Sequence, residues 1–271
     1  MAVEKSKLAV IMPVYNAEKF LQQSIDSILQ QSFADFEFLI CDDCSVDDSA
    51  EILRRAALTD KRVKLFRNEK NSGVTYSLNR LLQEVSSPFI VRMDADDIAL
   101  PDRLKKQYEF MQNHPEVAVA GGDLEIIDEN NNTLGMRYYL RSWQEIKKQM
   151  MCRSPLAHPA VIMRKSVIDR LGGYLEQPGC EDYYLWLRIV ENGYELANLP
   201  ETLLRYRLSA NQIKQRDMKK SLLSTIRLQK KYIFKRGFFS IKAFCVMIAE
   251  YGLLLLPDKL ILKLFSRVTY K

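Results

Sequence analysis

The first 120 residues alternate short apolar runs with segments of helical periodicity. The predicted elements, in chain order, are strand Leu8–Met12, helix Glu18–Gln31, strand Phe36–Cys41, strand Val63–Phe66, helix Val74–Val85, strand Phe89–Met93, helix Arg103–Asn113 and strand Val117–Ala120. Strands that alternate with helices form βαβ units, so this order predicts an α/β domain with a mainly parallel sheet flanked by helices. In such sheets ligands bind beyond the carboxyl ends of the strands.

The length and composition are those of a folded globular protein. The 271 residues are enough for one large domain or two small ones. Hydrophobic residues make up 47% and charged residues 27%, which excludes a disordered, collagen-like or coiled-coil chain. No repeat or flexible linker interrupts residues 1–210, so we predict one α/β domain there. Residues 211–271 are predicted to form a helical extension, with helices at Gln212–Arg236, Ile241–Leu256 and Lys259–Val268.

Charge is distributed unevenly along the chain. The net charge of +6 combines residues 1–210, with 26 basic and 31 acidic side chains, and residues 211–271, with 14 basic and 3 acidic ones. A basic segment after a mildly acidic domain predicts that the segment faces an anionic surface. Its basic residues are interleaved with aliphatic rather than stacking aromatic side chains, so we do not expect nucleic acid to be that partner.

The last predicted helix has the pattern of a segment that lies in a membrane interface. Lys259, Lys263 and Arg267 recur every four residues. The opposite side is apolar and carries Leu260, Ile261, Leu264, Phe265 and Val268. The preceding apolar run, Ala243–Leu256, contains Glu250 and is too short to cross a bilayer. The alternative is a helical subdomain that packs on the α/β domain and leaves its cations in solvent.

The sequence also carries an expectation about cellular location. Residues 1–5 have no apolar signal-peptide core, and the five cysteines are too scattered for a disulfide framework. We therefore expect a cytoplasmic protein, attached peripherally to the inner face of the cell membrane through its C-terminal helices.

Acidic residues directly follow two of the predicted strands. The second strand leads into Asp42 and Asp43, and the fourth into Asp94, Asp96 and Asp97. Because parallel strands end at the same edge of a sheet, these carboxylates are expected to converge there and to repel one another unless a cation offsets them. Oxygen-rich sites of this kind suit Mg²⁺ or Mn²⁺, which also bind phosphate oxygens.

Some acidic residues have a structural alternative. Asp47, Asp48 and Asp97 have positions that suit turn formers or helix N-caps equally well. Glu181 and Asp182 open a predicted helix, where acidic side chains are electrostatically favourable in the first turn.

Six short motifs occur in order between residues 8 and 207. They are Val10-Ile-Met-Pro-Val-Tyr-Asn16, Asp42-Asp43-Cys-Ser-Val-Asp47, Asn71-Ser-Gly73 with Asn79, Met93-Asp-Ala-Asp-Asp97, Leu171-Gly-Gly-Tyr174 and Glu181-Asp-Tyr-Tyr-Leu-Trp-Leu-Arg188. In this order and spacing they resemble glycosyltransferase family 2, inverting enzymes of the GT-A fold that use nucleotide-diphosphate sugars. The resemblance implies a Rossmann-like half that binds the nucleotide sugar, residues 1–121, and an acceptor side, residues 122–210.

The resemblance also implies residue roles. Asp182 takes the place of the general base, Asp96 binds a divalent metal, Mn²⁺ or Mg²⁺, and Asp94 lies near the ribose or the sugar. The other residues on the donor side are Pro13, Tyr15, Asn16, Asp42, Asp43, Asn71, Gly73 and Arg207, and those on the acceptor side are Glu181 and His158. Inverting transfer is a single displacement at the anomeric carbon, so a carboxylate must accept the hydroxyl proton of the acceptor, and no nucleophilic Ser or Cys is required. For His158, a place in the core or in a turn is the alternative.

The implied activity is transfer of a single sugar from a donor that is usually UDP-linked to a hydroxyl of a glycan, free or lipid-linked, in surface polysaccharide biosynthesis. The Gln-x-x-Arg-Trp motif of processive synthases is absent, which favours single addition. Many relatives carry a His two positions after the arginine that corresponds to Arg207, and this chain has Ser209 there. Either Arg207 alone serves the phosphates or the metal dependence is weaker than usual.

Other functions fit parts of the pattern. Cys41 and Cys44 form a C-x-x-C after a strand, but the acids between them would raise the thiol pKa values of a redox site. The pair Asp94 and Asp96 resembles that of haloacid-dehalogenase-like phosphatases, which lies on the first strand of their fold. A nucleotidyltransferase of related topology would need an N-terminal glycine-rich loop, and Val10–Asn16 has no glycine. A non-catalytic carbohydrate-binding scaffold is the remaining alternative.

Overall fold

The computed structural model describes residues 6–208, 218–235, 238–257 and 260. Its strands are β1 (Leu8–Val14), β2 (Phe36–Asp42), β3 (Val63–Arg67), β4 (Phe89–Arg92), β5 (Ile98–Ala99), β6 (Val117–Ile127), β7 (Thr133–Arg137), β8 (Ile162–Arg164) and β9 (Glu195–Arg207). Its helices are α1 (Glu18–Leu29), α2 (Ser49–Thr59), α3 (Val74–Glu84), α4 (Arg103–Asn113), α5 (Trp143–Gln149), α6 (Lys165–Leu171), α7 (Glu181–Glu191), α8 (Met218–Tyr232) and α9 (Ile241–Leu253), with a 3₁₀ turn at His158–Ala160.

Within the described residues these strands join in one sheet, in the order β3-β2-β1-β4-β8-β6-β9-β5, with β7 beside β6. Strands β1 to β4 pair in parallel, as predicted. Strand β8 is antiparallel to both of its neighbours, β4 and β6, and β6 then pairs in parallel with β9. The predicted α/β architecture with a mainly parallel sheet is confirmed.

Both faces of the central strands are covered, which explains their almost continuous apolar runs. In β1, Leu8 and Val10 belong to one buried cluster, which includes the apolar side of α1. Ala9 and Ile11, which alternate with them, belong to a second cluster, which includes the apolar side of α3. Because successive side chains of a strand point to opposite faces, this short segment anchors both hydrophobic cores.

The pairing register brings the polar loops to one edge of the sheet. Val14 pairs with Asp42, so β1 and β2 end together. Ile11 pairs with Arg92, and Met93 still donates its backbone N–H to the carbonyl of Ile11 (3.0 Å). The loops that follow β1, β2 and β4 therefore start side by side at the carboxyl edge of the sheet.

Helices α8 and α9 pack on the α/β domain. Leu228 and Tyr232 of α8, together with Ala243 and Met247 of α9, are buried in the cluster that also contains α3 and α7. Two of the three predicted C-terminal helices are thus confirmed, and their packing matches the interpretation of a helical subdomain on the α/β domain. The basic stripe of the third predicted helix lies outside the described residues. No helix in the described ranges is both long and apolar enough to span a membrane.

Candidate functional site

The loop that follows β2 holds its first carboxylate in a fixed position. Asp42 is buried, and its Oδ1 accepts a hydrogen bond from the backbone N–H of Ser45 (2.9 Å). Its Oδ2 lies 3.3 Å from Nε of Arg67, which forms an ion pair with it. The carboxylate predicted to bind the nucleotide base is therefore oriented by its own chain.

Asp43 holds the segment before α3, which is predicted to lie beside the donor, through hydrogen bonds. Its carboxylate accepts from the backbone N–H groups of Ser72 (2.9 Å) and Gly73 (2.7 Å) and from Nδ2 of Asn68 (2.7 Å). Gly73 has φ +87°, and a Cβ built there would meet nothing within 4 Å. The glycine is thus required by the backbone conformation that starts α3, while the neighbouring Asn71 is exposed.

The loop after β1 is joined to the β2 loop. Asn16 has φ +49°, accepts from the N–H of Val46 through Oδ1 (3.0 Å) and donates its own N–H to Oγ of Ser45 (3.0 Å). Tyr15, beside it, is 47% exposed, and Pro13 is half-buried. The structure therefore brings the predicted donor residues of β1 and β2 together and leaves an aromatic ring open at the edge.

Asp47 and Asp48 belong to the start of α2 and not to the cluster of site carboxylates. Asp47 accepts from the backbone N–H groups of Glu18 (3.1 Å) and Ser49 (3.0 Å), and these bonds lower the pKa of its carboxyl. Asp48 is exposed and directly precedes the helix. For this pair, the turn-forming interpretation is the correct one.

The carboxylates after β4 form a close cluster, which we call the acidic triad: Asp94, Asp96 and Asp97. One carboxylate oxygen from each lies within 4.8 Å of the others. Asp97 is fully buried, and its Oδ1 accepts from the N–H of Arg207 (2.9 Å). Burial and the neighbouring Asp94 raise the pKa of Asp96 to about 7, and burial with the neighbouring acids raises the pKa of Asp97 well above its usual range.

The acidic triad has the chemistry that a divalent cation requires. It offers hard oxygen donors, which suit Mg²⁺ and Mn²⁺. Oδ2 of Asp97 is buried and has no hydrogen-bond partner among the described residues. A bound cation would replace the protons that the crowded carboxyls otherwise retain, so the residues present fit such a metal.

Two buried arginines that sequence patterns did not single out support the acidic triad. Nη1 of Arg92 lies 2.5 Å from Oδ2 of Asp94. Arg103 donates from Nη2 to the carbonyl of Arg92 (2.6 Å), and burial lowers its pKa to about 9. A charged residue that ends an otherwise apolar strand is the signal by which Arg92 could have been found.

Arg207 braces the acidic triad from the end of β9. Its side chain is buried, with Nε donating to the carbonyl of Asp96 (2.8 Å), Nη1 to the carbonyl of Asp128 (3.0 Å) and Nη2 to Oε1 of Gln23 (3.1 Å). These contacts indicate a positioning residue, and its predicted phosphate contact stays a prediction. Ser209, where many relatives have histidine, lies outside the described residues.

The first turn of α7 carries the other pair of acids. Burial raises the pKa of both Glu181 and Asp182. For Asp182, the backbone N–H of Tyr183 and the charge of Arg92 partly offset that rise. Since Arg92 also lowers the pKa of Asp96, its guanidinium acts on the acidic triad and on the start of α7 at the same time.

His158 is part of the core. It is 8% exposed, its Nε2 lies 2.8 Å from the hydroxyl of Tyr174, and its ring lies edge-on to Trp186. Burial, with a smaller effect of Arg92, lowers its pKa well below the usual range, so the ring is neutral. These contacts favour the core histidine over the predicted acceptor contact.

The C-x-x-C pair does not have the properties of a redox site. Burial raises the pKa of the Cys41 thiol, and Asp42 and Asp43 add to that rise. Cys44 is half-buried and both thiols are free. A redox cysteine needs a lowered thiol pKa, so this alternative is not supported.

A cavity of about 470 Å³ lies where the α/β domain meets α8 and α9, and we call it the C-terminal cavity. Asp182 lines it, together with residues of the β7–α5 region. The acid at the start of α7 thus has access to a space large enough for a small ligand, which is typically about 300–1,000 Å³.

Comparison with known proteins agrees with this arrangement. The sequence profile of Glycosyl transferase family 2 matches residues 9–172. The O-antigen biosynthesis glycosyltransferase WbnJ of Escherichia coli is 34% identical over 206 residues, which cover 74% of this chain and 79% of that protein. The UDP-Gal:α-D-GlcNAc-diphosphoundecaprenol β-1,3-galactosyltransferase of Escherichia coli is 29% identical over 250 residues, which cover 92% and 90%.

The fold likewise matches a solved structure. S. aureus TarS 1–349, in complex with UDP-GlcNAc, superposes with a TM-score of 0.70 at 18% identity, and the match covers 90% of this chain and 71% of that chain. This likeness confirms the predicted GT-A fold. Together with the family match over residues 9–172, it shows that the chain belongs to glycosyltransferase family 2.

Proposed function

We propose that this glycosyltransferase acts in surface polysaccharide biosynthesis and transfers one hexose, with inversion, from a UDP-linked donor to a hydroxyl of a lipid-linked glycan. The observation that carries the proposal is that the buried guanidinium of Arg92 acts on both the acidic triad and Asp182. The relatives that act in O-antigen biosynthesis and on a diphosphoundecaprenol-linked sugar support the choice of pathway class and acceptor.

Asp182 is the proposed general base. Its carboxylate accepts the proton of the acceptor hydroxyl as the oxygen forms its bond to the anomeric carbon, while the bond between that carbon and the diphosphate oxygen breaks. A base works best when its pKa is near the working pH, and burial moves the pKa of Asp182 in that direction. The positive charge of Arg92 and the backbone N–H groups in the first turn of α7 oppose that rise and favour the ionised carboxylate.

The donor side is assigned to the edge formed by the β1, β2 and β4 loops. Asp42 has the fixed orientation that recognition of a uracil edge requires, and Tyr15 offers an exposed ring beside it. Asp94, Asp96 and Asp97 would hold a divalent metal, Mn²⁺ or Mg²⁺. A metal bound there would act as a Lewis acid for the leaving diphosphate.

The first experiment tests the reaction itself. The full chain is incubated with Mn²⁺ and a panel of UDP-, GDP- and dTDP-linked sugars, and release of the nucleoside diphosphate is measured with and without glycan acceptors. We expect turnover or binding with UDP-linked sugars. If no nucleotide sugar binds in the presence of the metal, the proposed function is wrong.

The second experiment tests Asp182 as the general base. Asp182→Asn should lower transfer by roughly 10²–10⁴-fold, the usual contribution of a general base, and leave UDP affinity nearly unchanged. Asp48→Asn is the matched control, because Asp48 is an exposed aspartate at the same edge of the sheet. Loss of UDP binding in Asp182→Asn with normal catalysis by bound enzyme would contradict the assignment.

We also propose that the C-terminal helices attach the protein to an anionic membrane surface. Large apolar side chains are exposed on and beside α9: Phe234, Phe239, Ile241, Phe244, Ile248 and Leu255. Ile241, Phe244 and Ile248 are three and four residues apart, so they share one face of α9. Lys230 and Lys242 are exposed in the same region, which adds the positive charge that anionic headgroups attract.

Vesicle flotation tests this attachment without disturbing the core. The double variant Ile241→Ser/Phe244→Ser should float less with anionic vesicles than the unmodified protein. Leu58→Ser is the control, because Leu58 is 89% exposed on α2. Deletion of the whole extension is unsuitable, since Ala243 and Met247 are part of the core. Equal flotation of both variants would remove the membrane proposal.

A further inference from the structure

The C-terminal cavity has walls from both parts of the chain. The α/β domain contributes Arg137, Tyr138, Arg153 and Asp182, while α8 contributes Gln229 and α9 contributes Glu250. Helices α8 and α9, which follow the α/β domain in the chain, thus complete the wall of a cavity that Asp182, the proposed base, also lines. This makes α8 and α9 part of a binding site as well as part of the core.

Two polar atoms on the C-terminal wall lack partners. Gln229 is 1% exposed, and its Nε2 donates to the carbonyl of Met151 (3.2 Å). Its Oε1 and Oε2 of Glu250 are both buried; the two side chains interact with each other, and neither atom has a hydrogen-bond partner elsewhere among the described residues. Buried polar atoms are almost always hydrogen-bonded, so two such atoms beside a cavity indicate a ligand with hydrogen-bonding groups.

Burial also changes the state of Glu250. It raises the pKa of this carboxyl to about 7, although hydrogen bonding with Gln229 works in the opposite direction. Near neutral pH the carboxyl is therefore available both as a donor and as an acceptor. A sugar hydroxyl or acetamido group can satisfy either form.

The balance of charges on the cavity wall and an exposed tyrosine ring there favour a neutral ligand. Above pH 7, where the Glu250 carboxyl is mainly ionised, Arg137 and Arg153 are balanced by Asp182 and Glu250, so the lining then has no excess of either sign. Tyr138 is 61% exposed and offers an aromatic face to an apolar ring surface. An acidic sugar would bring an extra negative charge next to two carboxyls.

We propose that the C-terminal cavity binds the neutral sugar of the acceptor and that Gln229 and Glu250 hydrogen-bond its hydroxyl or acetamido groups. These two residues, which lie outside the α/β domain, then determine acceptor specificity. The inference rests on the proposed function, because it places the acceptor next to Asp182 as base. It goes further by naming the acceptor class and the residues that select it.

Binding is tested without catalysis. Saturation-transfer NMR in the presence of UDP measures the affinity of the full chain for 4-nitrophenyl glycosides of hexoses, N-acetylhexosamines and a uronic acid. We expect the neutral glycosides to bind and the uronide to bind at least tenfold more weakly. Glu250→Gln keeps the shape of the side chain but removes its charge, so at pH 8, where the carboxyl is mainly ionised, it should weaken neutral binding by roughly tenfold or more, as the loss of a hydrogen bond to a charged group does.

The matched control is Glu191→Gln. Glu191 forms an ion pair with Lys235, and this pair joins the α/β domain to the C-terminal segment. Neither residue lines the cavity. Its substitution should leave glycoside affinity within twofold. Tyr138→Ala is the second variant, because an exposed side chain can be removed without risk to folding, and it should also weaken binding.

Kinetics separate this inference from the proposed function. In a transfer assay, Glu250→Gln should raise the KM for the acceptor and leave kcat, the KM for the donor and slow donor hydrolysis unchanged. If the unmodified protein binds no neutral glycoside, or if Glu250→Gln and Glu191→Gln behave alike, the cavity assignment is overturned even when donor hydrolysis is normal. Failure of donor binding would instead count against the proposed function.

Discussion

Asp43 of the β2 loop and the acidic triad lie at the same edge of the sheet, yet they differ in how the protein satisfies their carboxylates. Asp43 accepts hydrogen bonds from three groups of its own chain. In the acidic triad, Oδ2 of Asp97 is buried without a hydrogen-bond partner among the described residues, and the pKa of Asp96 is raised to about 7. The first carboxylate organises a loop, whereas the second group is a cluster of like charges whose protons a bound cation would replace.

This difference teaches that strand-end aspartates cannot be assigned by position alone. Asp43 and Asp96 both follow a buried strand of the same parallel sheet. Backbone N–H groups at the start of α3 donate to Asp43, whereas Asp96 lies against Asp94 and Asp97, whose charges Arg92 and Arg207 offset only in part. We therefore expect substitutions in the β2 loop to change stability and substitutions in the acidic triad to change metal binding.

The largest expected effect is the loss of stability in Asp43→Ala. This change leaves the N–H groups of Ser72 and Gly73 and the amide of Asn68 without their acceptor. Each buried unsatisfied group costs about 1–3 kcal/mol, so we expect the free energy of unfolding to fall by about 3–5 kcal/mol in urea denaturation. Mn²⁺ affinity of the folded variant should stay nearly unchanged.

The control for this prediction is Asp48→Ala, which removes an exposed aspartate from the same loop. Its unfolding free energy should lie within about 0.5 kcal/mol of the unmodified protein. If Asp43→Ala is as stable as this control, the β2 loop is not held by Asp43.

The next effect is a loss of metal affinity in Asp96→Asn. The substitution removes a proposed ligand, and we expect Mn²⁺ affinity to fall roughly 10- to 100-fold, which corresponds to about 1.4–2.7 kcal/mol. Titration calorimetry measures it. The metal-free protein should not lose stability, because the change also removes a charge that repels Asp94 and Asp97. If Asp96→Asn markedly loses stability and keeps its Mn²⁺ affinity, Asp96 has the structural role that we assign to Asp43, and the metal assignment is wrong.

The smallest effect is the pH dependence of metal binding. Because the folded-state pKa of Asp96 is about 7 and the ordinary value is 3.8, the folded protein holds a proton that the unfolded chain releases. Its contribution to stability is present at low pH and is lost as the pH rises through 7. Bound Mn²⁺ displaces that proton, so affinity should rise about tenfold, about 1.4 kcal/mol, between pH 6 and pH 8.

Calorimetry in buffers with different ionisation enthalpies should detect the released proton. Asp96→Asn is the reference, since its residual Mn²⁺ affinity should depend less on pH. Affinity that falls between pH 6 and pH 8 would contradict the assignment of Asp96 as a ligand.

Much of the fold could be predicted because its signals are local. Apolar runs and helical periodicity located β1, α1, β2, β3, α3, β4 and α4, but not the short β5, and helix α4 was predicted with its observed ends, Arg103–Asn113. The antiparallel β8, which lies between β4 and β6, could not be predicted in this way. Its position depends on which strand edges remain free after the N-terminal strands have paired, and three residues carry too little pattern to show that.

The residues of the candidate site also fall into those with a local sequence signal and those without one. Asp94, Asp96 and Asp182 could be named as candidates because they lie in short motifs that are local in sequence, and their roles stay predictions. Arg92, Arg103 and Glu250 could not, since their importance comes from burial next to groups that are distant in sequence. His158 shows the converse: its motif suggested a binding role, and the packing of Tyr174 and Trp186 around it favours a place in the core.

The sequence by itself determined the alternation of strands and helices, the acidic strand ends and the family. Tertiary structure alone decided which carboxylates are satisfied and which are crowded, and it joined α8 and α9 to the wall of the C-terminal cavity. The physical reason is that periodicity reports whether a side chain is buried, whereas its pKa and its hydrogen bonds depend on which distant groups share that buried space.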